Sequence, residues 1–412
     1  MSRIDELIRE HCPSGVMFKA LGDVGEFIRG SGLQKGDLTD EGVPAIHYGQ
    51  IHTTYGTWAA ETVAFVRPAF AAKLRKARPG DIVIATTSED DQAVGKAMAW
   101  IGNDEAAVSS DAYIFRHWLV PKYVAYIFQS DGFQDQKKRW ITGTKVRRIS
   151  GESLAKIRIP VPPPAVQEEI VRVLDLFQAL DATFEVELEA ELGARRRQFV
   201  HLRESLLTSR NVNVQWMAMG ELGRFIRGRR FTKDDVVEDG IPSIHYGEIY
   251  TRYGTATSST VSHVRRDLAT KLRYAQPGDV IVAAVGETVE DVAKAVAWLG
   301  EVPVAIHDDT FLFRSEMNPT FVSYAMQTAA FHAQKNKYVA RAKVKRLGGD
   351  ALAKIAIPVP AIEEQERIVE ILDKFDALVH SLSAGLRAEL AARHLQYQYY
   401  RNKLLTFEEA AA

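Results

Sequence analysis

The chain has 412 residues, of which 46% are apolar and 25% charged, with a formal net charge of −1. That length accommodates two or three domains with real cores, and the near-neutral sum confines any nucleic-acid surface to a local patch offset by acidic segments elsewhere. Cys12 is the only cysteine, which excludes internal disulfides and cysteine-based zinc sites and suits a reducing cytoplasm.

In chain order, Met1–Arg9 lacks the apolar run of a signal peptide, and Ser2–Glu10 predicts a short helix. No 18-residue apolar stretch predicts a membrane span, so a cytoplasmic protein without membrane contact is expected. Val16–Pro164 has a mixed, strand-rich α/β pattern. Asp81–Ala85 follows a Pro-Gly turn signal and predicts a strand, Ala112–Arg116 a second strand, and Val120–Gln129 a helix. The prolines from Pro160 to Pro164 block helix continuation. Beyond them Ile170, Leu174, Phe177, Leu180, Phe184, Leu188 and Leu192 recur at spacings of 3 or 4, the narrow stripe of a coiled-coil seam. A helix from Val166 to Leu207 would extend roughly 60 Å.

The second half repeats the first at a constant offset of 198, without a gap. Phe27-Ile28-Arg29-Gly30 returns as Phe225-Ile226-Arg227-Gly228, Ile46-His47-Tyr48-Gly49 as Ile244-His245-Tyr246-Gly247, and Pro79-Gly80-Asp81 as Pro277-Gly278-Asp279. The helical stripe returns as Ile368, Leu372, Phe375, Leu378, Leu382, Leu386 and Leu390. Ile4, Leu7 and Ile8 align by the same offset with Leu202, Ser205 and Leu206 at the tail of the first long helix, so the N-terminal helix is expected beside the end of the second.

Repetition on this scale implies two similar units. The expected division is an N-terminal helix over residues 1–15, a globular domain over 16–164, a spacer helix over 165–210, a second domain over 211–362 and a second spacer helix over 363–408. Two long helices with one domain at each end have to run antiparallel to bury their stripes on each other. The expected fold is α/β (α+β): two similar globular domains separated by a coiled-coil spacer, pseudo-two-fold and circular in organisation.

The doubled order of parts resembles the specificity subunits of type I restriction–modification enzymes. The residues that carry this are Ile157–Pro162 followed by Gln167-Glu168-Glu169-Ile170-Val171, and Ile355–Pro360 followed by Glu364-Gln365-Glu366-Arg367-Ile368-Val369. Copy one departs from copy two at Val166, where copy two has Glu364. The resemblance covers essentially the whole chain. It implies that the globular units are target-recognition domains on double-stranded DNA and that the helices also dock two methyltransferase subunits. Restriction (translocase) subunits join that assembly, and S-adenosylmethionine belongs to the methyltransferase subunits, with no cofactor in this chain.

Reading DNA needs cations on phosphates and polar side chains at base edges. Lys137, Lys138, Arg139, Lys145, Arg147 and Arg148 cluster around Trp140; Lys335, Lys337, Arg341, Lys343, Lys345 and Arg346 cluster around Tyr338. The structural alternative is a solvated charged face before a helix. His47, Tyr48, Gln50 and Tyr55, with counterparts His245, Tyr246, Glu248 and Tyr253, are candidates for base or phosphate contact; otherwise the tyrosines are core and the histidines satisfy backbone. Lys73, Arg75, Lys271 and Arg273 are further candidate cations, against ordinary surface charge. Gln suits adenine and a carboxylate suits cytosine, so Gln50 against Glu248 predicts half-sites that differ within a split, near-inverted target. Glu185, Glu187, Glu189 and Glu191, followed by Arg195–Arg197, are a candidate docking surface on the first spacer helix or simply its solvated face.

Catalytic signatures are missing. There is no Gly-x-Gly-x-x-Gly, no Gly-Lys-Ser/Thr loop, no Asn/Asp-Pro-Pro-Tyr/Phe segment and no metal-spaced histidine pair. The one nuclease-like tripeptide, Asp135-Gln136-Lys137, loses its carboxylate at Ala333 in copy two. Neither catalytic residues nor a metal are therefore expected. The other readings are a coiled-coil scaffold with two protein-binding domains, and an enzyme with an unrecognised site.

Overall fold

The two Pro-Gly-Asp turns start the central strands of both halves in the computed structural model, which describes residues 3–208, 214–340 and 344–410. Gly80 and Gly278 sit at φ +96° and +91°, a conformation that costs glycine nothing. Each aspartate then turns inward and holds the turn. Asp81 accepts from the Arg78 amide at 2.8 Å and from Arg116 at 3.1 Å. Asp279 accepts from the Gln276 amide at 2.7 Å and from two nitrogens of Arg314 at 2.8 and 2.6 Å.

The chain divides into two compact units, Met1–Glu187 with Arg387–Ala412, and Leu188–Leu386. The cut passes through both long helices instead of between domains and spacers. In the first unit the main sheet has the strand order Gly25–Arg29, Ala112–His117, Ile82–Ala85, Ala97–Trp100, Trp58–Ala59. A second sheet holds Phe65–Val66, Val43–Ile46, Ala106–Val108 and Lys76–Ala77. The second unit repeats both orders and adds the strand Val236–Val237 to its second sheet.

Alternation along the strands fills two apolar layers. Ile82, Ile84 and Phe115 pack with the helix Pro121–Ile127 and with Val166, Ile170 and Leu174 of the first long helix. Val83, Met98, Trp100 and Ile114 face the other way, against Ile46, Ile51 and Val108. Both faces are covered, which is why Ile82–Ala85 and Ala97–Trp100 are buried throughout. The Phe-Ile-Arg-Gly motif ends in glycine because the chains nearly touch there: a Cβ on Gly30 would lie 2.0 Å from the Ser109 carbonyl oxygen, and one on Gly228 2.1 Å from that of His307.

The long helices span Pro164–Thr208 and Ile362–Leu405. Proline suits the first position because it has no N–H to leave unpaired. In the first unit Phe177 stacks on Tyr400 with centroids 5.6 Å apart, Gln178 donates to the Tyr397 hydroxyl at 3.2 Å, and Arg393 lies 4.0 Å over the Phe184 ring. One numbering rises as the other falls, so the two segments run antiparallel. In the second unit Phe199 stacks on Phe375 at 6.0 Å. The helix Arg3–His11 places Ile4 in one apolar cluster with Leu405. Val16 donates to the Glu408 carbonyl at 2.8 Å and accepts from the Ala410 amide at 3.0 Å, so the last described residues meet the start of the first domain.

The expected seam is corrected near the helix middles. Leu180 and Leu378 are 56% and 53% exposed and Leu382 38%, while Val379 and Ser383 are buried. A stripe spaced near 3.5 residues drifts by about 20° per heptad on a straight helix, which moves these leucines off the contact line. Among the described residues no helix is long and apolar enough to cross a membrane.

Candidate nucleic-acid interface

In each domain the second sheet delivers a short helix to the edge of a cleft. The strand Val43–Ile46 pairs in parallel with Ala106–Val108 and runs into the helix Tyr48–Thr53. His47 caps this helix, its Nδ1 accepting from the Gly49 amide at 3.2 Å, and Gln50 Oε1 accepts from the His47 amide at 2.9 Å. In copy two His245 Nδ1 accepts from Gly247 at 3.3 Å and Glu248 accepts from the His245 amide at 2.9 Å. Both are capping boxes, which satisfy amides that the first helical turn leaves open.

This corrects part of the sequence reading. Gln50 and Glu248 do the same local work through one oxygen each, and the other Glu248 oxygen bonds the Ser262 hydroxyl, so this pair is withdrawn as base readers. Tyr55 is buried and its hydroxyl accepts from the Val63 amide at 3.1 Å; Tyr253 does the same for Val261 at 2.9 Å. Both tyrosines hold loops. Burial pushes His47 below its ordinary pKa, and burial with the neighbouring His307 pushes His245 down to about 4, so His245 is neutral at pH 7.

The basic clusters split. Lys137 and Lys335 are 0% and 1% exposed and donate only inward, so they are not candidates for phosphate contact. Lys138 is exposed and pairs with Asp135 at 2.8 Å, Arg139 and Lys145 are exposed, and Trp140 is half-buried with Lys156 5.0 Å over its ring. Arg147 and Arg148 form a two-residue strand against Thr87–Ser88; Arg147 pairs with Asp91 at 2.8 Å and Arg148 is exposed. Lys345 and Arg346 pair likewise with Val285–Gly286, and Arg346 lies 3.6 Å from Asp309. Lys337 and Tyr338 are exposed. Lys343 and Arg341 lie outside the described residues. Lys73, Arg75 and Lys271 are exposed and Arg273 half-buried, with Arg75 donating to the Arg29 carbonyl at 2.8 Å.

What the fold brings together in the first domain is a cleft of about 850 Å³ between the helix Tyr48–Thr53 and the strand carrying Arg148, lined by Tyr48, His52, Glu89, Lys96 and Arg148. His52 Nε2 meets the Thr87 carbonyl at 3.0 Å and Lys96 donates to the His52 carbonyl at 3.2 Å, fixing the floor. In the second domain a cleft of about 410 Å³ is lined by Arg227, Arg230, Lys233, His245, His307 and Arg346. Sequence reasoning missed Lys96, Arg227, Arg230, Lys233 and His307; the recurrence of Lys96 as Lys294 was the available signal. His307, Asp308 and Asp309 bring three potential ligand atoms within 4.8 Å. A cation fits poorly, because His307 Nδ1 accepts from the Asp309 amide and Nε2 meets the Phe231 carbonyl.

Residues 13–193 and 211–392 each match the family described as the type I restriction modification DNA specificity domain. The chain is 33% identical over 292 residues to the EcoR124I/EcoR124II type I restriction enzyme specificity subunit of Escherichia coli, covering 66% of either chain. It is 23% identical over 275 residues to the MjaVIII specificity subunit of Methanocaldococcus jannaschii, covering 62% of this chain and 64% of that one. It thus spans about two thirds of the length of these relatives. A solved structure concerned with complex assembly and conformational transition of the type I R-M system superposes with a TM-score of 0.68 at 16% identity, over 95% of this chain and 98% of the other. The HsdS subunit from Thermoanaerobacter tengcongensis gives 0.55 at 16% identity, over 95% and 96%. With one matching domain in each half, the chain belongs to the family of type I restriction–modification DNA specificity subunits.

Proposed function

We propose that this chain reads a split double-stranded DNA target for a type I restriction–modification complex, one half-site per domain, and has no catalytic centre of its own. The observation that carries this is the doubled family domain, each copy presenting a cleft edged by a two-residue basic strand, Arg147–Arg148 and Lys345–Arg346. Exposed arginines at such an edge suit phosphates, and the polar floor suits base edges. In this reading two methyltransferase subunits dock on the long helices and bring S-adenosylmethionine, and restriction subunits join them. The Arg195 side chain is held by Glu191 at 2.8 Å, which leaves Arg196 and Arg197 as the docking cations of that segment.

The test is binding of a duplex carrying the target by the complex of this chain with its methyltransferase partner, titrated against salt. Affinity that falls steeply and linearly in log–log form, with a much weaker competing duplex, is expected. Binding that ignores both salt and sequence would favour the protein scaffold.

A further inference from the structure

Two buried ammonium groups, one in each domain, hold loops whose sequences differ between the two copies. Lys137 lies near the end of the helix Asp131–Lys138 and donates to the carbonyls of Gln92 at 3.0 Å and Val94 at 2.8 Å. Lys335, the last residue of the helix Ala329–Lys335, donates to Val289 at 2.7 Å and Val292 at 2.9 Å. Each lysine thus ties down a loop, 89–94 or 287–292, that leaves the strand paired to the basic strand of its cleft. Each loop re-enters the main sheet through a residue at positive φ, Gly95 at +79° and Ala293 at +65°. Among the described residues Ala293 is the only non-glycine in that conformation, which is unfavourable for a residue with a Cβ and persists where its surroundings enforce it. Burying an ammonium is costly unless it is hydrogen-bonded, and here the cost is met twice, at equivalent places.

The frames of the loops match and their tips do not. Asp81 and Lys96-Ala97 are kept as Asp279 and Lys294-Ala295, while Asp90-Asp91-Gln92-Ala93 stands against Thr288-Val289-Glu290-Asp291. Glu89, Asp90, Asp91 and Gln92 are exposed, and Glu89 and Asp90 line the first cleft. Thr87 lines that cleft too, 8% exposed, and its buried hydroxyl has no hydrogen-bond partner.

We propose that Lys137 and Lys335 are positioning residues for sequence recognition, each fixing a loop (89–94 and 287–292) whose exposed side chains read the base edges of one half-site. This rests on the DNA-reading function proposed above. The lysines hold the two loops at equivalent places, sharing the Val94 and Val292 anchor, and unequal tips give them different donors and acceptors. Glu89 and Glu287 occupy the same position and accept from exocyclic amino groups such as that of cytosine, so both half-sites carry an amino-bearing base at the equivalent place.

The test grafts the second tip onto the first domain (Asp90→Thr, Asp91→Val, Gln92→Glu, Ala93→Asp), bringing the Thr288–Asp291 side-chain hydrogen bond with it. The variant is assembled with the methyltransferase subunits and its methylated motif mapped beside that of the wild type. The expected result is continued methylation with a changed first half-site and an unchanged second. In the same complex Lys137→Met should lower discrimination against single-base changes in the first half-site by roughly tenfold or more per base pair, with non-specific binding unchanged. An identical motif from the grafted complex overturns the proposal even if Lys137→Met fails to fold. A wild-type complex that reads no motif overturns the functional reading itself; a wild-type motif that the graft leaves intact overturns only the loop assignment.

Discussion

Asn402 accepts from the Asp131 amide at 3.1 Å, and the same contact recurs 198 residues away, where Glu204 accepts from the Ala329 amide at 2.9 Å. Their neighbours repeat the relation: Arg401 donates to Gln129 at 3.4 Å and Arg203 to Gln327 at 2.9 Å. In each unit the C-terminal end of a long helix therefore covers the start of the domain helix that carries the buried lysine. In the second unit that long helix leads into the domain; in the first it comes from the end of the chain. Substituting Asn402→Ala or Glu204→Ala leaves a first-turn amide uncovered and should cost about 1 kcal/mol. Denaturant unfolding checks this, and midpoints equal to wild type would contradict it.

The aspartate–arginine pairs should differ in strength. Asp279→Ala removes three hydrogen bonds and strands Arg314, for an expected loss of about 2–3 kcal/mol. Arg314 is 36% exposed, so water limits the penalty. Asp81→Ala should cost less, because Arg116 makes a single, longer bond to it. Equal losses in thermal or denaturant unfolding would refute the ranking.

Arg148→Ala and Arg346→Ala should weaken every duplex alike. In the function proposed above each is a phosphate contact, and removing one such cation should lower the slope of log affinity against log salt by about 1. A loss confined to one target sequence would make these arginines base readers instead.

Acid should destabilise the fold before the carboxylates titrate. Burial pushes His117, His245 and His332 down to about 4, against an ordinary value of 6.5. Between pH 6.5 and 4 the unfolded chain binds protons that these folded histidines refuse, so their stability contribution is complete above 6.5 and is lost as pH falls towards 4. His245→Asn keeps a capping acceptor and should flatten that part of the stability curve; an unchanged slope would exclude His245 as a source.

Much of the architecture was legible because the repeat needs no gap, so turns, strands and long helices recur at one offset. The candidate site was only partly legible. Charge counts do not show which helix face a lysine occupies, yet Phe133 and Lys137, like Phe331 and Lys335, are four apart and share a buried face. That spacing was the missed signal. His47 with Gln50 three residues on has the spacing of a capping box, which accounts for a polar pair that looked like base readers. The cleft joins positions far apart in sequence, such as Tyr48 and Arg148, and no local pattern reports such a meeting.

The most direct measurement is to express this chain with the methyltransferase subunits proposed as its partners, in a host that lacks other methylation, and to sequence the modified bases. A single split motif is expected, with two specific half-sites around an unspecified spacer. Associated proteins that leave the DNA unmodified, or that methylate one uninterrupted motif, would contradict recognition by two domains.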